Sequence, residues 1–179
     1  MRKIKIALIG KMRSGKDTIG EWLINEYEFK KYAFADGIGE IIDKYFPEAR
    51  ANGKPRLHYQ HIGQELRKLN PDVWVNYLMR TLEKDDYHRI IITDTRQVNE
   101  VKTLKENGFI IIKVEADEET RIKRILESGD NFNIEHFQHE TEAQVDLTEA
   151  DITIVNNKTI EELKQEVLNI INKIIDEQE

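Results

Sequence analysis

The chain has 179 residues, with 34 acidic against 27 basic side chains, a formal net charge of −7 and no cysteine. That length supports one domain with a real core. Disulfides and thiolate metal sites are excluded, and a general nucleic-acid coat does not suit the acidic balance. No run is apolar enough to span a bilayer or act as a signal peptide, so a cytoplasmic protein with no membrane and no nucleic acid polymer as partner is expected.

Ile4 to Ile9 is an apolar run that reads as a buried strand. It leads straight into Gly10-Lys11-Met12-Arg13-Ser14-Gly15-Lys16-Asp17-Thr18. Ile19 to Tyr27 follows as an amphipathic helix, with Ile19, Trp22, Leu23 and Tyr27 on one stripe and Trp22 expected in the core. Strand, G-x-x-x-x-G-K and helix make up the context of a phosphate-binding P-loop. The glycines let successive N–H groups point at phosphate oxygens, and the helix start adds its positive dipole end. Lys16 is placed to reach the β- and γ-phosphates as a point charge. Asp17 stands where such loops usually carry a metal-binding Ser or Thr, and a carboxylate is also a good Mg²⁺ ligand. Either Asp17 touches the metal, in part through water, or it turns away and Thr18 supports the site.

Lys31 to Ala35 is a short strand candidate, and Ile38 to Phe46 a helix stopped by Pro47. A polar loop, 50–55, precedes a helical region from Leu57 to Leu69. Asp72 is a candidate N-cap for a helix carrying Val73, Trp74, Tyr77, Leu78 and Leu82. Arg89 to Asp94 is a β-branched, continuously apolar central strand. Val98 to Asn107 is helical, with Gly108 as its stop, and Phe109 to Val114 is another buried strand. Asp117 to Leu126 is a charged helix. Residues 128–150 are polar, with Phe132, Ile134 and Phe137 as the few apolar anchors of 128–144, and read as a mobile, lid-like segment. Ile152 to Val155 is the last strand, ending at Asn156-Asn157, and Ile160 to Ile174 is the stripe of a final helix whose acidic end, 176–179, is expected to fray. Alternating strands and helices imply a parallel sheet with helices on both faces and ligands at the strand C-terminal ends.

Three further clusters carry chemistry. Asp94 follows the central strand, where an acid lies beside the P-loop in folds of this type; it suits a water-mediated Mg²⁺ contact or proton acceptance, and Arg96 suits a bidentate grip on a second phosphoryl group. The alternative is an N-cap carboxylate beside an arginine. Arg121 and Arg124 share a helix face next to the lid-like segment and suit charge stabilisation of a moving phosphoryl group, or else a solvated face. Tyr59, Gln60 and Arg67, with Trp74, lie in the polar and aromatic stretch between the second and third strands, where a second substrate would be held; for Trp74 the core reading is favoured. His58/His61 and His136/His139 have zinc-compatible spacing, without a cysteine or H-E-x-x-H to support it.

Taken in order, these pieces resemble the phage-type deoxynucleoside monophosphate kinases, which group with adenylate kinase, dephospho-CoA kinase and phosphomevalonate kinase relatives. The resemblance rests on Gly10 to Thr18, Tyr32 to Asp36, Tyr59 to Gly63 with Asp72 to Trp74, Thr93 to Arg96 with Asn99-Glu100, His139 to Glu142, and Ala150-Asp151 through Asn156-Asn157. Relatives commonly follow the Asp36 position with Pro and a basic residue, where this chain has Gly37-Ile38-Gly39. The resemblance implies an α/β fold: a three-layer α/β/α P-loop NTPase with a five-stranded parallel sheet ordered 2-3-1-4-5. A single domain is expected, with its core at 1–35, 88–120 and 150–179, a helical acceptor insert at about 36–87 and a lid at about 121–149. It implies transfer from ATP, with Mg²⁺, to a deoxynucleoside monophosphate. Lys16, Asp94, Arg96, Arg121 and Arg124 are then the catalytic candidates. Gly10 to Thr18, Arg121, Asn156 and Asn157 bind ATP, the two asparagines at its adenine edge. Asp36, Tyr59, Gln60, Arg67, Trp74, Arg96 and Glu142 bind the acceptor, and Asp17 and Asp94 the metal. A kinase for another small phosphorylated acceptor and a nucleotide-dependent switch stay open as alternatives, as does a homodimer.

Overall fold

A computed structural model describes residues 3–51, 53–128 and 140–178, and the side chains of 140–142 lie outside that description. The chain divides into two compact units, residues 1–31 with 87–179 and residues 32–86.

The first unit is built on β1 (Ile4–Ile9), β3 (Arg89–Thr95), β4 (Ile110–Glu115) and β5 (Ile152–Val155). The short β2 (Lys30–Tyr32) completes a five-stranded sheet ordered β2-β3-β1-β4-β5, as the family resemblance implied. β1 runs parallel to both β3 and β4, and β4 parallel to β5. Central strands buried on both faces need unbroken apolar sequence, and Ile6, Leu8, Ile91 and Ile112 are each fully buried. Helices α1 (Lys16–Tyr27), α5 (Val98–Glu106), α6 (Glu118–Glu127) and α7 (Glu140–Asp146) belong to this unit, as does α8 (Ile160–Gln178). α8 buries Leu163, Val167, Ile171 and Ile174, about 1.5–3 kcal/mol of apolar transfer for each.

The second unit holds α2 (Asp36–Tyr45), a 3₁₀ turn (Pro47–Arg50), α3 (Arg56–Leu69) and α4 (Val73–Glu83). Its core includes Ile38, Ile42, Trp74, Val75 and Leu78. Trp74 is 3% exposed and donates its indole N–H to the Gly63 carbonyl at 3.1 Å. That is the satisfied geometry of a core tryptophan, the reading favoured from the sequence.

Local chemistry explains where elements begin and end differently from expectation. β2 stops at Tyr32 rather than Ala35, because the Asp36 carboxylate accepts the Ala33 N–H at 2.7 Å and turns the chain into α2. At α4, Asp72 occupies the N-cap position but its side chain makes no capping bond; instead Asn70 accepts the Asp72 N–H at 3.0 Å. α5 opens with a reciprocal capping box between Gln97 and Glu100. Gly108 stops the following turn at φ +77°, as expected. Trp22 is only partly buried, on the rim of the core that Ile19 and Leu23 fill. Part of the expected lid-like segment is helical: α7 buries Val145, and Thr148 just after it is also buried. The rest of that segment, with Phe132, Ile134, Phe137 and His136/His139, lies outside the described residues. α8 stays helical to Gln178, beyond the point where fraying was expected.

Candidate phosphate-binding site

The turn between β1 and α1 needs both of its motif glycines. A Cβ on Gly10 would lie 2.5 Å from the Val114 carbonyl oxygen and 2.6 Å from Ser14 Oγ. Gly15 sits at φ +102°, and a Cβ there would lie 2.2 Å from Asn156 Nδ2. Arg13 is also left-handed, at φ +61°, which is uncommon for a residue with a side chain. Lys16 begins α1, is 8% exposed and pairs with the Asp17 carboxylate at 2.9 Å.

A cavity of about 410 Å³ opens beside this turn. Met12, Arg13, Gly15, Lys16, Asp17 and Thr18 line it, together with Arg96 from the end of β3, Arg124 from α6, and Asn156, Lys158, Ile160 and Leu163. Its lining thus sets Arg13, Lys16, Arg96, Arg124 and Lys158 against one carboxylate, Asp17, in a chain whose net charge is −7. Concentrating cations in a concave site raises the local affinity for an anion.

Several expected site residues have definite partners. Lys11 turns to α7 and pairs with Asp146 at 2.7 Å. Arg13 donates to Ser128 Oγ at 3.0 Å. Arg121 is 6% exposed and donates to the Met12 carbonyl at 3.4 Å, so it is no solvated face. Arg124 donates to the carbonyls of Arg13 and Asn156 at 3.1 and 3.0 Å, and to Asn156 Oδ1 at 3.2 Å. Burial lowers the Arg124 pKa from its ordinary value, with Glu127 acting in the opposite sense. Asn156, 4% exposed, donates Nδ2 to the Ser14 carbonyl at 2.7 Å. The geometry therefore gives it a supporting contact to the loop, while it also lines the cavity. Asn157 pairs with Asp117, donating at 2.7 Å and accepting the Asp117 N–H at 2.9 Å. It lines a separate cavity of about 170 Å³ with Lys11, Asp117 and Asp146.

Asp94, half-buried at the end of β3, is not among the residues lining the larger cavity, while Arg96 is. The Arg96 backbone N–H donates to buried Glu100 at 2.8 Å, which fixes the turn that carries its side chain. Among the described residues no three His, Asp or Glu side chains gather as a metal cage. Mg²⁺ needs none, since one or two carboxylates plus substrate phosphates hold it. The Asp17 side chain is 80% exposed, and with Thr18 beside it on the cavity wall the donor set is all oxygen, which suits such an ion.

In the second unit the Tyr59 hydroxyl accepts from Arg50 at 3.3 Å, and Lys54 Nζ lies 4.8 Å from its ring centre. Gln60 is exposed, Arg67 half-buried, and the Glu142 side chain falls outside the description. A cavity of about 760 Å³ in this unit is lined by Glu40, Lys44, Trp74, Tyr77, Arg80 and Lys84 among others. Asp36, Tyr59, Gln60 and Arg67 are not part of its wall. His58 packs against Phe46, ring centres 5.4 Å apart, as an ordinary surface histidine.

A family model described as an AAA domain matches residues 6–145. The chain belongs to the AAA domain family. It is 24% identical over 94% of its length to a protein of Acanthamoeba polyphaga mimivirus named as a deoxynucleotide monophosphate kinase, and covers 96% of that protein. It is 31% identical over 48% of its length to a deoxynucleotide monophosphate kinase of Escherichia phage RB69, and covers 30% of that longer protein. Among solved structures, shikimate kinase from Aquifex aeolicus is similar in fold, with a TM-score of 0.53 at 18% identity, 96% of this chain and 99% of that one being covered.

Sequence reasoning missed Lys158, Ile160 and Leu163 in the cavity wall, beyond the stretch that the AAA domain model matches. The signal was available only in part. Thr159 and Glu162 form a capping box, Glu162 accepting the Thr159 N–H at 3.1 Å, and that motif places the start of α8 beside the end of β5.

Proposed function

We propose that this chain is an ATP-dependent kinase that phosphorylates a deoxynucleoside 5′-monophosphate to the diphosphate. The observation that carries the reading is the cation-lined cavity at the G-x-x-x-x-G-K turn, with Lys16, Arg96 and Arg124 on one wall system. The names of the mimivirus and phage relatives support the choice of acceptor.

In the proposed reaction an oxygen of the acceptor's phosphate attacks the γ-phosphorus of ATP. The bond from that phosphorus to the bridging oxygen breaks, and ADP leaves with the electron pair. Such transfer is almost wholly positioning and charge stabilisation. Lys16 neutralises charge on the β- and γ-phosphates, and Arg96 meets charge that develops on the transferring group. Arg121 and Arg124 hold carbonyls of the loop, and Arg124 also lines the cavity. Ile160 and Leu163 give the cavity an apolar end suited to the adenine base. Asp17, which lines the cavity, would hold Mg²⁺, with Asp94 proposed as a further contact through water, and the ion would supply neutralisation of the phosphate charge. Asp36, Tyr59, Gln60, Arg67 and Glu142 remain the proposed acceptor contacts, with Arg96 at the phosphate.

The test is ADP release across a panel of deoxynucleoside and ribonucleoside monophosphates, with dephospho-CoA and phosphomevalonate included. Turnover only when a deoxynucleoside monophosphate is present supports the reading. Turnover with dephospho-CoA or phosphomevalonate alone transfers it to the other acceptor class, and acceptor-independent hydrolysis to a switch.

A further inference from the structure

The carbonyls of the phosphate turn are held by side chains from α6 and from the end of β5. Arg121 takes that of Met12, and Arg124 Nη1 takes those of Arg13 and Ser14 at 3.1 and 3.4 Å. Asn156 takes the Ser14 carbonyl a second time, at 2.7 Å. Asn156 is itself immobilised: its backbone N–H donates to the Glu115 carbonyl at 2.7 Å, continuing the β4–β5 pairing, and Arg124 Nη2 holds both its carbonyl and its Oδ1. A rigid amide thus projects from the sheet edge into the turn, and Gly15 leaves the space it needs.

We propose that Asn156 is a positioning residue whose side-chain amide, with Arg124, presets the phosphate turn for ATP before any ligand arrives. This rests on the reading of the cavity as the ATP site. The peptide unit is planar and trans, so its N–H points opposite to its carbonyl; no cis bond occurs among the described residues. Holding the Ser14 carbonyl therefore fixes the direction of the Gly15 N–H, one of the donors a phosphate would meet. Holding the Met12 carbonyl does the same for the Arg13 N–H. The left-handed Arg13 backbone shows why a clamp is needed, since a conformation this sparsely populated persists only when its surroundings over-determine it. A turn preset in this way loses little freedom on binding, which raises affinity.

Asn156→Asp is the decisive variant. It keeps the size of the side chain and its contact with Arg124, and it has no N–H to give to the Ser14 carbonyl. Titration calorimetry with ATP should show binding weaker by about tenfold or more, the factor that 1.4 kcal/mol represents. In the ligand-free protein the backbone order parameter of Gly15 should fall from the rigid range near 0.85 toward values below about 0.6, while β1 and β3 amides stay rigid. KM for ATP should rise and KM for the acceptor should not. Asn156→Ala should behave alike, and the isosteric Asp variant decides if the Ala variant does not fold. A Gly15 that stays rigid in Asn156→Asp overturns the proposal whatever the ATP affinity, because the new carboxylate on the cavity wall repels the phosphates by itself. If wild type binds ATP but phosphorylates no monophosphate, the kinase reading fails while these two measurements still decide the tie.

Discussion

Lys16 has two neighbours that set its behaviour. The Asp17 carboxylate pairs with it at 2.9 Å, and the start of α1 buries it to 8% exposure. In the proposed reaction that pair must loosen, because the ammonium is needed on the phosphates. Lys16→Ala should fold and should lower turnover by about two to three decades, the ~2.7–4 kcal/mol that one charge-stabilising group supplies. Steady-state kinetics with a thermal melt as control checks this; wild-type turnover in a folded variant contradicts it. Asp17 separates two roles. If its carboxylate supports Mg²⁺, Asp17→Ser should retain more activity than Asp17→Ala across a magnesium titration, since Ser is the usual residue of such turns. Equal activity of wild type and Asp17→Ala at limiting magnesium would remove Asp17 from the metal shell.

At the scale of elements, α2 and α4 meet where Gly37 faces Tyr77, and a Cβ on Gly37 would lie 2.8 Å from the ring. Burial, and then the hydrogen bond to Glu40, push the Tyr77 phenol up to about 12, so it stays a neutral donor in that contact. Gly37→Ala gains up to ~1 kcal/mol of helix propensity but overpacks this contact, typically a loss of ~1–3 kcal/mol. Urea denaturation should therefore show net destabilisation; an unchanged or stabilised protein would mean that the helices part freely. At the start of α8, Thr159 donates to Glu162 and holds its carboxyl below the ordinary range. A depressed carboxylate pKa stabilises the fold above its unfolded value and loses that effect as pH falls through the folded one. The melting-temperature gap between wild type and Glu162→Gln should be open above roughly pH 4–5, the ordinary glutamate range, and close on acidification. A gap that widens at low pH contradicts the cap. These details also show what the sequence carried. Apolar runs such as Ile90-Ile91-Ile92 and the G-x-x-x-x-G-K turn were legible, because buried strands and phosphate turns leave few alternatives. The bond from Asn156 to the Ser14 carbonyl was not legible, because that partner lies 142 residues away in sequence. Lys11 is a similar case: its charge is visible in sequence, its ion pair with Asp146 is not.

At the scale of the molecule, the first unit holds the whole wall of the cation-lined cavity, and the second holds Asp36, Tyr59, Gln60 and Arg67. The first unit's task is argued from geometry; the acceptor assignment of the second rests on the resemblance and on the names of the relatives. The most direct test follows the phosphoryl group itself. ATP labelled at its γ-phosphate is incubated with the protein, magnesium and each deoxynucleoside monophosphate in turn, and the products are separated. The label should appear on the β-phosphate of a deoxynucleoside diphosphate, in amounts equal to the ADP formed, and should stay on ATP when the acceptor is omitted or magnesium is chelated. Label released as inorganic phosphate whether or not an acceptor is present would contradict the account.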